Sequence, residues 1–283
     1  MSVELADSIA VLRARLNPLR RAGKTIGLVP TMGALHVGHV ELIRRARRES
    51  DCVVVSIFVN PIQFDRNDDF DRYPRPMADD LRVCEQEGVD VVFAPLAAEM
   101  YPRPQRAFVE VETLTDHLCG AFRPGHFRGV ATVVTKLFNI VQPGRAYFGE
   151  KDAQQLAVIR RMVADLNMPL AIIEVPTVRE DAGLAVSSRN AQLTAEQRRS
   201  ATVLYQALAA VREQVAHGER DAAAIKQQAL TLLARQPAVR LEYFEVVDSE
   251  EMQPVVHIER PVRIAAAVWV GATRLIDNVL VEI

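Results

Sequence analysis

Short apolar runs alternate with amphipathic helical patterns along the first two-thirds of the chain. Residues 53–59 (VVVSIFV) have no alternating polar face, and further strand-like runs occupy 24–29, 89–93, 146–149 and 170–175. Between them, apolar residues recur at helical spacing over 38–50, 77–86, 131–141 and 153–165. Apolar strands separated by helices are typical of a parallel sheet covered on both faces. The pattern predicts an α/β fold with a doubly wound sheet, whose ligands bind beyond the carboxyl ends of the strands.

The pattern changes after about residue 178. Alanine- and glutamine-rich helices are predicted at 195–217 and 220–235, and strands at 241–247, 262–268 and 275–281. Three strands after two helices favour a second, smaller α+β domain. We therefore predict a first domain at residues 1–177, a second at 178–283 and a hinge near Thr177.

Composition and charge exclude several classes of protein. Of 283 residues, 49% are hydrophobic and 25% charged, which is an ordinary globular composition. The formal net charge of −2 gives no indication of nucleic acid or of an anionic membrane as a partner. The longest apolar runs, 52–59 and 264–270, are too short to cross a bilayer, and the N-terminal residues lack the features of a signal peptide. We interpret the basic runs at 13–24 and 44–48 as solvated helix faces.

The number and spacing of the cysteines indicate the cellular compartment of the protein. Cys52, Cys84 and Cys119 stand at no ligand-like spacing, and no CxxC occurs in the sequence. We predict reduced, mostly buried thiols in a cytoplasmic protein.

The strongest chemical signal lies directly after the first predicted strand, where residues 30–39 read PTMGALHVGH. Gly33 and Gly38 allow a tight turn and a close approach to a ligand. A helix beginning near Gly38 would direct free N–H groups and its positive dipole end at a phosphate. His36 and His39 are three residues apart, which places both imidazoles on one side, where they can donate hydrogen bonds to developing phosphate charge.

This turn has other interpretations. The chain contains neither GxxxxGK[ST] nor GxGxxG, so the two common phosphate-binding loops are excluded. A zinc pair formed by His36 and His39 would lack a nearby third ligand, and purely structural histidines are a further alternative.

Three later segments also carry chemistry. In FVNPIQF, at 58–64, Asn60 and Gln63 offer neutral amides that can hold hydroxyls and a carboxylate, with Met32 as an apolar wall. A turn with a surface glutamine is the structural alternative.

In GEKDAQQL, at 149–156, Lys151 can reach phosphate and Gln155 would face the same side of the helix. A solvated helix start is the alternative there.

The third segment is VSSRN, at 186–190. Ser187 and Ser188 can donate hydroxyl hydrogen bonds, and Arg189 can clamp a pyrophosphate. A simple helix cap is the alternative. The basic segment 122–129 could be either a lid near the phosphates or a solvated connection.

His36-Val37-Gly38-His39 resembles the HxGH signature of the nucleotidyltransferase and class I aminoacyl-tRNA synthetase superfamily. Together with the later segments, over nearly the whole chain, it resembles the pantothenate synthetase (pantoate–β-alanine ligase) family. VSSRN corresponds to the superfamily's KMSKS-type loop, with Arg189 where a synthetase has lysine. The resemblance implies a Rossmann-like fold and the condensation of (R)-pantoate with β-alanine through a pantoyl-adenylate, with ATP and Mg²⁺. It also implies a homodimer.

The resemblance assigns roles residue by residue. Catalysis falls to His36, His39, Lys151, Ser187, Ser188 and Arg189, with His39 as the proton donor to the departing group. Gln63, Gln155 and Asn60 would bind substrate. The residues implied in ATP binding are Met32, Gly33, Ala34, Leu35, His36, Val37, Gly38, His39, Gly149, Glu150, Lys151, Asp152, Val178, Val186, Ser187, Ser188 and Arg189.

Two rival functions remain open. One is an adenylyltransferase that leaves AMP on its product, and the other is a non-catalytic ATP- or tRNA-binding module. Because an acyl-adenylate is easily hydrolysed, we also expect the second domain to close over the nucleotide.

Overall fold

The computed structural model describes residues 3–283, except for the side chain of Asn67. The chain forms two compact units. The first comprises the residues up to Val111, Arg123–Glu150 and Val158–Pro176. The second comprises Glu112–Phe122, Lys151–Ala157 and Thr177–Ile283, so it includes two segments that precede its main body in the chain.

The first unit is built on a six-stranded parallel sheet, which confirms the predicted α/β class. Its strands, in chain order, are β1 (Glu4–Ala6), β2 (Ile26–Thr31), β3 (Cys52–Ile57), β4 (Val91–Phe93), β5 (Arg145–Gly149) and β6 (Ala171–Val175). Their spatial order is β1-β4-β3-β2-β5-β6. All six residues of β3 are buried, as expected of an unbroken apolar strand inside a parallel sheet.

Eleven α-helices and three 3₁₀ turns accompany the strands in the described part of the chain. The 3₁₀ turns are Pro61–Gln63, Glu150–Asp152 and Ser188–Gln192. The helices are α1 (Ile9–Arg21), α2 (Val37–Glu49), α3 (Asn67–Arg72), α4 (Met77–Gln86), α5 (Ala97–Met100), α6 (Leu118–Phe122), α7 (His126–Val141), α8 (Ala153–Asp165), α9 (Ala195–Ala201), α10 (Val203–Ala216) and α11 (Ala222–Leu233).

The sheet has a topological switch point at β2. This strand pairs with β3 on one side and with β5 on the other, so the order of the strands reverses there. In open α/β sheets, ligands bind beyond the carboxyl ends of the strands at such a point. The turn that carries His36 and His39 follows β2 directly, and the sheet therefore presents it at the expected position of a ligand site.

The second unit is α+β. Strands β7 (Val239–Asp248), β8 (Val262–Val270) and β9 (Thr273–Val281) form an antiparallel sheet in that order. One apolar core joins this sheet to α10 and α11, with Leu204, Leu208, Ile225, Phe244 and Ile264 among its buried members. This arrangement confirms the predicted class of the C-terminal region.

Three local predictions differ from the structure. Strand β1 was not predicted, because it has three residues and its Leu5 side chain is half exposed, so no apolar run marks it. The single helix predicted over 195–217 is wrong, since it is divided at Thr202. The Thr202 hydroxyl donates to the carbonyl of Arg199 at 2.7 Å, and the Thr202 N–H bonds the same carbonyl, which tightens the chain locally. The third difference concerns segment 122–129, where α6 ends at Phe122 and α7 begins at His126.

The predicted burial of the cysteines is confirmed. Cys52, Cys84 and Cys119 are buried and none of them forms a disulfide within residues 3–283. Burial raises the pKa of Cys52 to about 11 and that of Cys84 to about 12. Among the described residues, no helix is long and apolar enough to cross a membrane.

Candidate active site

The turn between β2 and α2 is held in an uncommon backbone conformation. Gly33 has a φ of +83° and Ala34 a φ of +51°, so two successive residues are left-handed. For alanine this conformation costs about 1–2 kcal/mol. Such strain persists only where the surrounding structure holds it in place.

The buried carboxylate of Asp80, on α4, holds this turn. Its Oδ2 accepts from the N–H of Ala34 at 2.9 Å, and its Oδ1 accepts from the N–H of Leu35 at 2.7 Å. Asp80 is 2% exposed, and burial raises its pKa while the two N–H donors oppose that shift. A Cβ on Gly33 would lie 2.8 Å from Asp80 Oδ2, so the close contact also requires glycine.

His36 and His39 form a reciprocal cap at the start of α2. The Nδ1 of His36 accepts from the N–H of Gly38 at 3.2 Å, and the Nδ1 of His39 accepts from the N–H of His36 at 3.3 Å. The ring centroids are 4.1 Å apart, so the expectation of two imidazoles on one side is met. Because each Nδ1 accepts a hydrogen bond, the neutral form of each ring carries its proton on Nε2. Both histidines are thus set as Nε2–H donors.

Protein side chains accept from most of the N–H groups around this helix start, where free N–H groups were expected. Thr31 Oγ1 accepts from the N–H of Gly33 at 3.1 Å, Asp80 takes the next two N–H groups, and the imidazoles take those of His36 and Gly38. Side chains of the protein therefore satisfy these five backbone donors, and the N–H of Val37, the first residue of α2, is not among them. What this turn offers an anion is the two imidazole Nε2–H groups and the dipole of α2.

The amides of Asn60 and Gln63 belong to one directed chain of hydrogen bonds. The Tyr101 hydroxyl donates to Asn60 Oδ1 at 2.7 Å, and Asn60 Nδ2 donates to Gln63 Oε1 at 3.0 Å. Gln63 Nε2 then lies 3.1 Å from Met32 Sδ. Burial raises the pKa of Tyr101, which keeps its hydroxyl a donor. The chain fixes which end of the Gln63 amide is a donor, and it unites three predicted site residues.

Segment 122–129 supports this amide cluster from α7. The Nδ1 of His126 lies 2.8 Å from the carbonyl of Gln63, and Asn60 Nδ2 reaches the carbonyl of Gly129 at 3.2 Å. A Cβ on Gly129 would lie 2.3 Å from the carbonyl oxygen of Ile62, so the helix approaches the 3₁₀ turn as closely as glycine permits. Residues 126–129 are therefore the first turn of a packed helix, and the solvated connection is confined to the residues before it, where Pro124 and Gly125 are exposed.

Removing the Tyr101 hydroxyl tests the amide chain. In Tyr101→Phe the buried Asn60 Oδ1 loses its donor, so the free energy of unfolding should fall by about 1–2 kcal/mol. Binding of a substrate at Gln63 should weaken by up to about tenfold, equivalent to about 1.4 kcal/mol, with kcat nearly unchanged. Chemical denaturation and steady-state KM values measure both effects.

The matched control is Tyr147→Phe. Tyr147 is fully buried in the same unit, and its hydroxyl lies 3.2 Å from Ser50 Oγ, outside the amide chain. The Tyr147→Phe variant should have a lower free energy of unfolding and an unchanged KM. An unchanged KM in Tyr101→Phe, or an equal KM change in both variants, would contradict the orienting role.

The segment after β5 contains the second group of predicted residues. Gly149 ends the strand, and a Cβ built on it would meet no atom within 4 Å, so space is open beside its backbone. Glu150, Lys151 and Asp152 form a 3₁₀ turn, in which Lys151 Nζ lies 3.6 Å from Asp152 Oδ2. Gln155 is half-buried on α8. Its neighbour Gln154 is buried and has a structural role, since its Nε2 donates to the carbonyls of Leu114 and His117.

The third group of predicted residues, at 186–190, lies on a loop of the second unit whose two ends are joined by a backbone hydrogen bond. The N–H of Val186 donates to the carbonyl of Val178 at 2.9 Å. Ser187 caps the 3₁₀ turn that contains Ser188 and Arg189, because its Oγ accepts from the N–H of Arg189 at 3.3 Å. The geometry of the capping alternative is thus present. A capping Oγ acts as an acceptor and keeps its O–H as a donor, so capping and ligand binding are compatible.

Within the second unit, Lys151, Ser187, Arg189 and Asn190 line one pocket together with Asp277. Lys151, Arg189 and Arg274 bring three cationic side chains to this cavity, Ser187 brings a hydroxyl and Asp277 brings a carboxylate. The structure thus brings Lys151 together with Ser187 and Arg189, although they come from two separate segments of the chain.

Several residues at these sites carry no local signal in the sequence. Asp80 reaches a turn 46 residues away, Tyr101 reaches an amide 41 residues away, and Asp277 pairs with Arg179 across 98 residues. Aspartates and tyrosines are common, and nothing in their immediate neighbourhoods marks these three. Only the tertiary contacts identify them.

The fold and the site define a Rossmann-like α/β protein with a histidine-capped ligand turn at the switch point of its sheet. A family model described as Pantoate-beta-alanine ligase matches residues 4–280. The chain belongs to this family of ATP-dependent ligases.

Similar proteins agree over the full length. A pantothenate synthetase of Thermotoga neapolitana is 53% identical over 98% of this chain and 99% of its own. One of Moorella thermoacetica is 53% identical over 99% of each chain. The crystal structure of pantothenate synthetase from Thermus thermophilus superposes with a TM-score of 0.93 at 46% identity, covering 98% of this chain and 99% of that one. A Francisella tularensis pantoate-beta-alanine ligase, complexed with beta-gamma ATP and beta-alanine, gives 0.81 at 34% identity, covering 98% and 97%.

Proposed function

We propose that this ligase condenses (R)-pantoate with β-alanine at the expense of ATP, through a pantoyl-adenylate, and releases AMP and pyrophosphate. Family membership supports the overall reaction. The observation that carries the adenylation step is the capped turn after β2, where His36 and His39 are both set as Nε2–H donors. Their place at the switch point of the sheet is where an α/β fold binds its ligand.

In the first step, a carboxylate oxygen of pantoate attacks the α-phosphorus of ATP. The bond from that phosphorus to the β-phosphate oxygen breaks, and pyrophosphate leaves with the bonding pair. Such a transfer needs positioning and neutralisation of charge more than covalent chemistry from the protein. The Nε2–H groups of His36 and His39 suit this task, because preorganised donors stabilise negative charge as it develops. We assign His39 to the departing group.

The predicted residues of the second unit would share this work. Lys151 and Arg189 offer fixed positive charge, and Ser187 and Ser188 offer hydroxyl donors. Their grouping around one pocket supports the assignment for Lys151, Ser187 and Arg189. Val178 and Val186, which pair through their backbones, would flank the nucleotide.

In the second step, the neutral amine of β-alanine attacks the acyl carbon of the adenylate. An amide bond forms, the acyl–phosphate bond breaks, and AMP leaves. We assign pantoate binding to Asn60, Gln63 and Gln155, with Gln63 also near the amine. The directed hydrogen-bond chain from Tyr101 supports this for Gln63, because it fixes the donor end of the amide.

We propose Mg²⁺ as the metal of the reaction, bound chiefly through the phosphates of ATP. Residues 3–283 contain no group of three or more His, Cys, Asp or Glu side chains that could hold a metal ion. Mg²⁺ usually keeps several waters and takes one or two carboxylates besides phosphates. Asp152, exposed beside Lys151, is the protein carboxylate that we assign to it. When bound, the ion would neutralise phosphate charge.

Isotope exchange between pyrophosphate and ATP tests the proposal. Exchange should require pantoate and proceed without β-alanine, because the first step is complete before the amine enters. Net pyrophosphate release should be sustained only when both substrates are present. Exchange that depends on β-alanine would rule out a free pantoyl-adenylate.

Product analysis distinguishes the rivals. An adenylyltransferase would accumulate a stable adenylylated product, whereas the ligase yields AMP and an amide. Binding of ATP without turnover under any combination of substrates would favour the non-catalytic module. The proposal requires AMP and amide in equal amounts, measured by mass spectrometry.

The remaining assignments are also proposals. We assign ATP and pantoate binding to residues 1–177 and a lid function to 178–283. We further propose a cytoplasmic homodimer, where the compartment agrees with buried thiols and the dimer rests on the family alone. A monomeric mass in light scattering would contradict the dimer.

A further inference from the structure

Two adjacent buried polar residues of β9, Asp277 and Asn278, make contacts that the reaction above does not use. They are 3% and 5% exposed, in a strand whose other members are mostly apolar. Buried polar side chains are costly unless they are hydrogen-bonded, so a pair of them calls for an explanation. Each bonds a different one of the two segments that contribute Lys151 and Ser187–Arg189.

Asp277 holds the start of the loop that leads to Ser187. Its carboxylate accepts two hydrogen bonds from Arg179, Nη1 to Oδ2 at 2.6 Å and Nη2 to Oδ1 at 2.9 Å. Arg179 Nη1 also donates to the carbonyl of Gly183 at 3.1 Å, and its guanidinium lies 4.0 Å from the ring centroid of Tyr205. Because a carboxylate, a carbonyl and an aromatic ring all contact the planar guanidinium of Arg179, its orientation is fixed. The loop backbone is therefore fixed at both Arg179 and Gly183.

Asn278 holds the other segment. Its Nδ2 donates to the carbonyl of Lys151 at 3.0 Å, and its Oδ1 accepts from Arg263 Nη1 at 2.6 Å. The Arg263 contact fixes the orientation of the amide, so that the NH₂ group faces Lys151. The carbonyl of Asn278 itself accepts from Arg179 Nη2 at 3.3 Å, which links the two anchors.

We propose that Asp277 and Asn278 are positioning residues for adenylation, because they fix the Lys151 backbone and the loop of Ser187 and Arg189 relative to each other. This inference rests on the proposed function, in which those three side chains act on ATP. Asp277 and Asn278 would act through Arg179 and the Lys151 backbone, and Asp277 also borders the pocket that Lys151, Ser187 and Arg189 line. A displacement of about 1 Å in such a site can cost on the order of 100-fold in rate.

The reaction has two halves, the formation of pantoyl-adenylate from ATP and the formation of the amide from pantoyl-adenylate. If Asp277 and Asn278 were purely structural, their replacement would slow both halves. If they position the ATP-binding side chains, their replacement would slow only the first half. The test variant is Asp277→Asn, which keeps the shape and removes the charge that Arg179 grips. The first half is measured as pantoate-dependent exchange between pyrophosphate and ATP. The second is measured as amide formation from β-alanine and chemically prepared pantoyl-adenylate, without ATP.

We expect Asp277→Asn to lose about tenfold or more in exchange, with a raised KM for ATP, since the bidentate grip on the loop is lost. Amide formation from supplied pantoyl-adenylate should stay at the wild-type rate. The matched control is Glu245→Gln, which removes the Lys226 ion pair of 2.6 Å from the same sheet. It should leave both half-reactions unchanged.

Equal losses in both half-reactions, or none in either, would overturn the proposal. If Asp277→Asn does not fold, the same two measurements are made on Arg179→Lys and Asn278→Ala. Each of these variants removes one of the two contacts and keeps the buried charge of Asp277. Absence of exchange in the wild type would refute the proposed function itself. Wild-type exchange with unaffected variants would refute only this inference.

Discussion

A His39→Gln variant is expected to remain folded and to lose about 100- to 1,000-fold in pyrophosphate release, the usual effect of removing one preorganised donor. Glutamine at this helical position can reach back to the N–H of His36, as in an ordinary capping box. The substitution therefore keeps the cap that His39 Nδ1 provides and removes the Nε2–H donor. Its melting temperature should stay close to that of the wild type.

His39→Ala completes the comparison. Alanine removes both the cap and the donor, and loss of a cap costs about 0.5–2 kcal/mol. We expect the two variants to be equally slow and only the alanine variant to be less stable. His217→Gln, at an exposed histidine at the end of α10, serves as the control and should match the wild type. Recovery of most of the activity in His39→Gln would mean that His39 is a cap alone.

The sequence predicted well where the turns at the carboxyl ends of the strands lie, for a physical reason. In a doubly wound sheet the loops at the carboxyl ends of the strands form the site, and strands such as β3 are apolar over their whole length. The residues at or just beyond the ends of those strands, among them His36, Asn60 and Gly149, could therefore be identified from local pattern alone.

What holds those turns could not be predicted in the same way. The N–H groups at the start of α2 were expected to be free, because the first N–H groups of a helix have no partner within it. In the structure, the two imidazoles accept from the N–H groups of His36 and Gly38, and Asp80 accepts from two N–H groups of the preceding turn. Asp80 lies on a different helix, and its selection over the adjacent Asp79 depends on which side of α4 is buried.

Removing the charge of Asp80 is expected to impair the turn that places His36. In Asp80→Asn, the amide oxygen can serve one of the two backbone N–H groups, and the amide NH₂ then opposes the other. We expect the free energy of unfolding to fall by about 1–3 kcal/mol, the cost of leaving a donor without its partner. The larger effect should be on kcat, by about 100-fold, because the left-handed Gly33–Ala34 turn that places His36 would relax.

Asp79→Asn is the matched control for this prediction. Asp79 is the preceding residue of the same helix, its side chain is 66% exposed, and its pair with Arg82 at 3.0 Å is a surface ion pair. Such pairs contribute about 0–1 kcal/mol, so both stability and kcat should stay near wild type. The ¹⁵N shifts of the His36 and His39 rings give an independent measure, since the loss of either Nδ1 acceptor bond would alter them. If Asp80→Asn retained wild-type kcat and unchanged ring shifts, the turn would be held by its own imidazole cap, and Asp80 would serve stability alone.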